Sequence, residues 1–373
     1  MKSSLTQIFI LFFILIVVCM LYKKMEDKNR MDEAKEDIDV INKYVLNEVT
    51  LAKTAKPILW IHVPYQYNSR KWATFGSRSS YDLNQPYLYL TVRSIITKCA
   101  ESFTICIIDD SVFGKVIPDW NIDMSKVSSP IVDNIRTMGM MKLLYIYGGL
   151  ICPISFLCMN NLHPLYMKGT SGSKLFLCET VNRNITSTTE NFYPNIEFCG
   201  APKENNSVAG LIDFIQRSIS TNFTADIKFA GEFNRWCNTR IRNGSINLID
   251  GCDIGTKSSE LKPIVIDDLM GNNYLKIKPT TYGILIPCDE LLKRRKYQWF
   301  TRMSAKQILE SNVIIGNYLL VYNAPNIKDG IIEPLEMKPS WVGFWKTPLY
   351  NGVYGLKPDD LGDSISQVPY PGR

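Results

Sequence analysis

The stretch from Leu143 to Cys158, LLYIYGGLICPISFLC, constrains the fold more than any other part of the chain. Apolar residues over 135–147 recur at helical spacing, and the paired Gly148 and Gly149 then interrupt the pattern. Glycine reaches the left-handed backbone region that ends helices, so the pair reads as a turn. The apolar run behind it is too short for a second helix. Together these features predict an amphipathic helix that turns through two glycines straight into a buried strand.

The neighbouring segments extend that unit. Residues 58–63 and 103–108 are short β-branched runs closed by polar turns, as expected of buried parallel strands. Residues 88–99 carry a helical pattern between them. Strand, helix, strand, helix, strand is the alternation of an α/β sheet with helices on both faces. Further strands are expected at 175–178, 263–266, 282–286 and 313–321, and helices at 211–218 and 304–309. Ser304 followed by Gln307 fits a capping box at the start of the last of these. Residues 169–174, GTSGSK, have the wrong spacing for a phosphate loop and read as a hairpin turn.

The organisation expected is an amino-terminal anchor over 1–24, a charged helical stalk over 25–55, an α/β domain over 56–346 and a Pro/Gly-rich irregular tail over 347–373. Residues 5–22 are almost unbroken apolar sequence closed by Lys23 and Lys24. The fully apolar part rises about 22 Å as a helix, and snorkelling lysines bring it toward the ~30 Å of a hydrocarbon core. No small-x-small cleavage site follows, which favours a retained single-pass anchor over a signal peptide. The positive flank lies after the span, so the positive-inside rule favours a cytosolic domain. Four sequons, at Asn184, Asn205, Asn222 and Asn243, point toward a lumenal one.

Composition narrows the chemistry. The net charge is +6, but basic and acidic residues are interspersed and no basic tract carries interleaved aromatics, which disfavours nucleic-acid binding. The two histidines, His62 and His163, lack metal-ligand spacing, so histidine zinc sites and most Ser-His or Cys-His schemes are poorly supported. The ten cysteines are scattered, without a C-x-x-C pair, and Cys106, Cys152 and Cys158 sit in apolar runs. Buried free thiols in a reducing compartment are the expected state.

The order Asp133-Asn-Ile-Arg136, helix, LYIYGGLICPIS resembles the core of glycosyltransferases with a DXD sugar-binding region, of the mannosyltransferase and capsular polysaccharide transferase kind. Residues 56–62, KPILWIH, are similar to that family's opening strand, and Asn160-Asn161-Leu162 to the segment after its DXD strand. The resemblance covers about residues 56–165. It implies a GT-A-like, mostly parallel sheet flanked by helices, a nucleotide-sugar donor, and a glycan, protein or lipid acceptor. It also implies donor-binding roles for His62, Arg136, Gly148, Gly149 and Ser155, with a hydrogen-bonded core histidine as the alternative for His62. The two metal-holding aspartates of the family are here Pro153 and Ser155, so Mn or Mg is expected only if the metal site has moved.

The residues themselves offer replacements. The loop after the first strand carries Tyr65, Arg70, Lys71 and Arg78, an aromatic to stack on a base and three cations for phosphates. The alternative is an ordinary surface loop. Ligands of open α/β sheets sit outside the carboxyl ends of the strands, where this loop belongs. Asp109 and Asp110 close the second strand and are candidates to hold a cation or activate a hydroxyl, or else they cap a turn. Asp267-Asp268 and Asp250/Asp253 are weaker candidates of the same kind. Lys293 to Lys296, KRRK, fits phosphate or an anionic membrane, or a solvated helix face. Two functions stay open: a membrane-anchored glycosyltransferase, and a non-catalytic descendant with a structural or interaction role. The Asn/Ile/Lys-rich composition with an amino-terminal anchor resembles products of large DNA viruses, which would suit the second.

Overall fold

The computed structural model describes residues 20, 56–64, 85–127, 131–221, 231–328, 344–348 and 354–356. The chain divides into two compact units, Met1–Val45 and Leu46–Arg373, and all described residues but Met20 belong to the second. The expected anchor (Met20 apart), the stalk, and the loop bearing Tyr65, Arg70, Lys71 and Arg78 lie outside the described residues. Among the described residues no helix is long and apolar enough to cross a membrane.

The second unit is a mixed α/β fold around a mostly parallel six-stranded sheet. Strand β1 (Ile58–His62) is followed by helix α1 (Tyr87–Cys99), β2 (Thr104–Ile108) and the short α2 (Phe113–Val116). Helix α3 (Ile131–Tyr147) then feeds β3 (Gly149–Ile151). Next come β4 (Phe156–Cys158), α4 (His163–Gly169), β5 (Leu175–Val181), β6 (Phe192–Ala201), α5 (Asn206–Thr221), α6 (Glu232–Arg242) and β7 (Ile246–Ile249). The sheet order is β2-β1-β3-β6-β5-β7. β1 pairs in parallel with β2 and β3, and β5 with β7; β6 is antiparallel to both β3 and β5. Five of the six strands therefore run one way, and their carboxyl ends share one edge.

Both faces are covered, which is why β1 and β2 read as unbroken apolar runs. Ile58, Trp60, Cys106 and Ile108 pack with Ile135, Met138, Leu143 and, further along the sheet, Leu211 and Ile215 under α3 and α5. A second cluster joins Leu88 and Leu90 of α1 with Leu157 of β4 and the later helices. Those are α7 (Ile266–Leu269), α8 (Cys288–Lys293), α9 (Ala305–Leu309) and α10 (Ile314–Lys328), with β8 (Gly283–Leu285) between α7 and α8.

The glycine turn forms as expected and its cause is visible. Gly148 and Gly149 have φ of 69° and 108°, the left-handed side that an L side chain resists. The Gly148 N–H closes α3 onto Leu144 O at 2.9 Å. A Cβ on Gly149 would lie 2.1 Å from Ile58 O, so only glycine lets β3 enter the sheet beside β1. Beyond Ile151 the expected continuous strand breaks in two. Pro153 has no N–H for a ladder, a turn closes from Phe156 N to Pro153 O at 3.1 Å, and β4 pairs with β8 outside the main sheet.

Other expectations need correction. Residues 263–266 are not a strand: Asp268 accepts from Val265 N at 2.9 Å, which starts α7 instead. Residues 313–321 begin the helix α10, not a strand. The 169–174 segment joins α4 to β5 through a tight helical turn, not a hairpin. The expected irregular tail contains an antiparallel ribbon of β9 (Phe344–Pro348) and β10 (Tyr354–Leu356), and the 346/347 boundary falls inside β9. The Ser304 capping box forms: Gln307 N donates to Ser304 Oγ at 3.2 Å and Ser304 N to Gln307 Oε1 at 3.0 Å.

Candidate functional site

Three residues far apart in the sequence meet at the carboxyl edge of the sheet. His62 is the last residue of β1, Asp110 opens the turn after β2, and Arg136 lies in the second turn of α3. Arg136 grips Asp110 with the Nε–Nη2 edge of its guanidinium: Nε lies 3.0 and 3.1 Å from the two carboxylate oxygens, and Nη2 lies 2.7 Å from Oδ2. Its Nη1 reaches Asp133 Oδ1 at 3.1 Å. His62 Nε2 lies 2.9 Å from Asp110 Oδ1. An ionised carboxylate only accepts, so this ring nitrogen carries the proton. The His62 ring stacks on Phe113, 5.5 Å between centroids.

Exposure of these side chains is 13% for His62, 14% for Asp110 and 13% for Arg136, against 48% for Asp133. Burial works to raise the Asp110 carboxyl, but hydrogen bonds from His62 and Arg136 and their charges outweigh it and hold Asp110 below the usual carboxylate range. Burial likewise opposes the charge on Arg136, and Asp110 with Asp133 more than restores it. Asp110 is thus a fixed anion that aims an imidazole and a guanidinium at the strand ends.

The neighbouring candidates have other roles. Asp109 is exposed and caps the turn after β2, accepting from Ser111 N at 2.9 Å and Ser111 Oγ at 2.6 Å. The Gly148 carbonyl accepts from Trp60 Nε1 at 3.0 Å, and Gly149 is buried in the sheet, so both glycines shape the backbone. Ser155 is buried, its carbonyl accepting from Ile286 N at 3.1 Å. Asp267 binds Arg294 and Tyr297, and Arg294 also reaches Glu290, so part of the 293–296 basic run is consumed by ion pairs. Asp253 pairs with Lys168, and Asp250 accepts from Cys252 N.

A relocated Mn or Mg does not fit the Asp109–Asp110 pair. Both Asp110 oxygens are committed to Arg136 or His62, and Asp109 Oδ1 is committed to Ser111. Among the described residues no group of three or more His, Cys, Asp or Glu is placed to hold a metal ion.

Two features escaped the sequence reading. Phe113 under His62 had no signal of its own in the sequence. Lys257 is the other: it pairs with Glu179 and Asp250 at the ends of β5 and β7, with its ammonium 4.4 Å from the centre of the Phe192 ring. The nine described cysteines carry free thiols, eight of them buried, with Cys99 and Cys158 Sγ 3.8 Å apart. The fold and site thus define a mixed α/β protein with an ion-paired cluster at the carboxyl edge of its sheet. No family model matches the chain, and no curated protein matches it either.

Proposed function

We propose that the chain is a membrane-tethered, GT-A-like transferase-type protein. In this reading it takes a nucleotide-sugar at the carboxyl edge of its sheet and passes the sugar to a glycan, protein or lipid acceptor without a metal at the end of β3. The observation that carries the reading is the convergence of His62, Asp110 and Arg136, residues separated by 48 and 26 positions, at the edge where open α/β sheets hold ligands. All three were expected from the resemblance or from strand-end chemistry.

The roles follow from charge. Asp110 fixes both partners, so the imidazole of His62 is positioned for donor hydroxyls, while the Arg136 nitrogens are already bonded to Asp110 and Asp133. Asp110 and Asp133 together offset Arg136, so the cluster alone carries little surplus positive charge. The diphosphate leaving group therefore falls to Arg70, Lys71 and Arg78 of the loop after β1.

One observation favours a second reading, a non-catalytic descendant serving a structural or interaction role at a membrane or virion. Asp110 is fully engaged, Asp109 caps a turn and Ser155 is buried, so none of the three is poised to take a proton from an acceptor. Thermal-shift measurements with UDP- and GDP-sugars, with and without manganese, decide the matter. Stabilisation by a donor, unchanged by manganese, supports the transferase-type site, and release of free nucleotide on adding acceptors supports turnover. Binding without any release supports the second reading, and no stabilisation by any donor removes the first.

A further inference from the structure

Part of the exposed apolar surface gathers in one place. Tyr274 is 79% exposed and Val321, on α10, is 63% exposed, and the half-buried Tyr318 and Tyr322 of the same helix stand with them. Single exposed apolar side chains are ordinary, whereas a contiguous group marks a contact surface. α10 carries apolar residues on both sides: Ile315 and Leu319 are buried in the second cluster, and Tyr318, Val321 and Tyr322 reach the solvent side. A helix apolar on both sides meets protein or lipid on its outer one. Crossing a bilayer is not its role, since no described helix is long and apolar enough for that.

Contacts join these residues into one surface. Burial raises the Tyr318 phenol, the neighbouring Tyr322 and Tyr274 add to the rise, and a backbone hydrogen bond at Leu275 opposes it, so the three rings share one neighbourhood. Ile314 N donates to Gly271 O at 2.8 Å, which ties the start of α10 to the segment that carries Tyr274. Ser259 N donates to Lys276 O at 2.7 Å and brings the 258–262 turn alongside. Leu261 in that turn is 64% exposed with a φ of 63°, a left-handed conformation that presents an apolar side chain to solvent. Cations rim the surface: Lys276 and Lys262 Nζ lie 2.6 and 3.3 Å from the two oxygens of Glu260, and Lys98 Nζ lies 6.0 Å from the centre of the Tyr322 ring. Lys98 is in the last turn of α1, at the amino edge of the sheet, where Thr104 N donates to Pro57 O at 2.9 Å and the chain enters β1.

We propose that this surface docks on an anionic bilayer, with Tyr274, Tyr318, Val321 and Tyr322 at the headgroup boundary and Lys98, Lys262 and Lys276 toward the lipid charges. This rests on the membrane-tethered reading above and gives the domain a second contact with the same membrane. Tyrosine has an apolar body and a polar hydroxyl, which suits the border between acyl chains and water. Three lysines against the single carboxylate of Glu260 leave a surplus of positive charge that an anionic leaflet attracts within about a Debye length. The chain from the amino terminus reaches the domain at the same edge as Lys98, and two linked contacts with one bilayer reinforce each other. The carboxyl edge, where His62 and Arg136 meet Asp110, is at the other end of the strands, so this docking leaves it free.

The test places the full chain in phosphatidylcholine vesicles with or without about one-third phosphatidylserine. A nitrobenzoxadiazole probe is attached at Tyr274→Cys or Val321→Cys, with Leu248→Cys on the edge strand β7 as the control. Eight of the nine described native thiols are buried, and the parent chain treated in the same way gives the background. With phosphatidylserine the emission at 274 and 321 is expected to rise roughly twofold and shift to the blue, while the control stays unchanged. Lys262→Glu combined with Lys276→Glu, at side chains 77% and 68% exposed, is expected to return the signal to the control level without loss of fold. A signal at 274 and 321 no larger than the control, or one indifferent to phosphatidylserine, overturns the docking surface and leaves the tether standing. A shift in phosphatidylcholine alone that grows with protein density assigns the surface to a second copy of the chain and overturns the proposal as well. Failure of the full chain to enter vesicles overturns both the docking and the tether.

Discussion

Replacing Asp110 by asparagine probes the cluster with little change of shape. Asp110 receives contacts from Arg136 at 2.7, 3.0 and 3.1 Å and one from His62 at 2.9 Å, all at side chains about one-seventh exposed. Removing one member of a buried pair costs about 3–5 kcal/mol. Asp133 remains beside Arg136 and partly replaces the lost charge, so about 3 kcal/mol is expected for Asp110→Asn. For a domain of this size that is roughly 6–12 °C of melting temperature. Urea unfolding at pH 7, followed by tryptophan fluorescence in mild detergent, measures it. The double cycle with Arg136→Met is expected to return a coupling of roughly 2 kcal/mol. The pH dependence has a fixed sign. Asp110 is depressed in the folded state, so its contribution is complete above the unfolded carboxylate value. It is lost as pH falls below about 4 through the folded one. The gap between parent and variant should therefore close in acid. A loss under 1 kcal/mol at neutral pH, or a gap that widens as pH falls below about 4, refutes the reasoning.

Three further outcomes follow from the same structure. Gly149→Ala should cost more than about 4 kcal/mol or abolish folding, because its Cβ would sit 2.1 Å from Ile58 O at a φ of 108°; soluble yield and unfolding midpoint report it. Asp109→Ala should cost about 1 kcal/mol as a lost cap and leave the response to added manganese unchanged, whereas a lost manganese response would restore the metal role. Ser304→Ala should cost a similar ~1 kcal/mol by denaturant titration, through loss of the capping box of α9.

The part of the fold that forms the site was legible because each of its elements has one dominant signal. β1 and β2 are β-branched runs buried on both faces, and the α3–β3 junction is marked by two glycines that no other residue can replace there. What was missed has mixed signals. β6 contains Pro194, Asn195 and Gly200, which read as breakers, yet it runs between β3 and β5 with its bulge opposite Leu177 and Cys178. β7 is four residues long with an exposed Leu248. α10 begins with Ile314 and Ile315 inside an apolar run buried on several sides, so periodicity could not separate helix from strand. His62, Asp110 and Arg136 were each visible as candidates. Their mutual pairing was not, because it depends on where α3 lies over the end of β2, and that depends on long-range packing rather than on local pattern.

Photoaffinity labelling with an azido-substituted UDP-sugar, followed by mapping of the labelled peptides, most directly tests whether the strand ends form a nucleotide-sugar site. Label concentrated on peptides holding His62, residues 65–84 and Ser155, and competed away by unmodified donor, is the predicted result. Label confined to surfaces away from that edge, or insensitive to competitor, would contradict it.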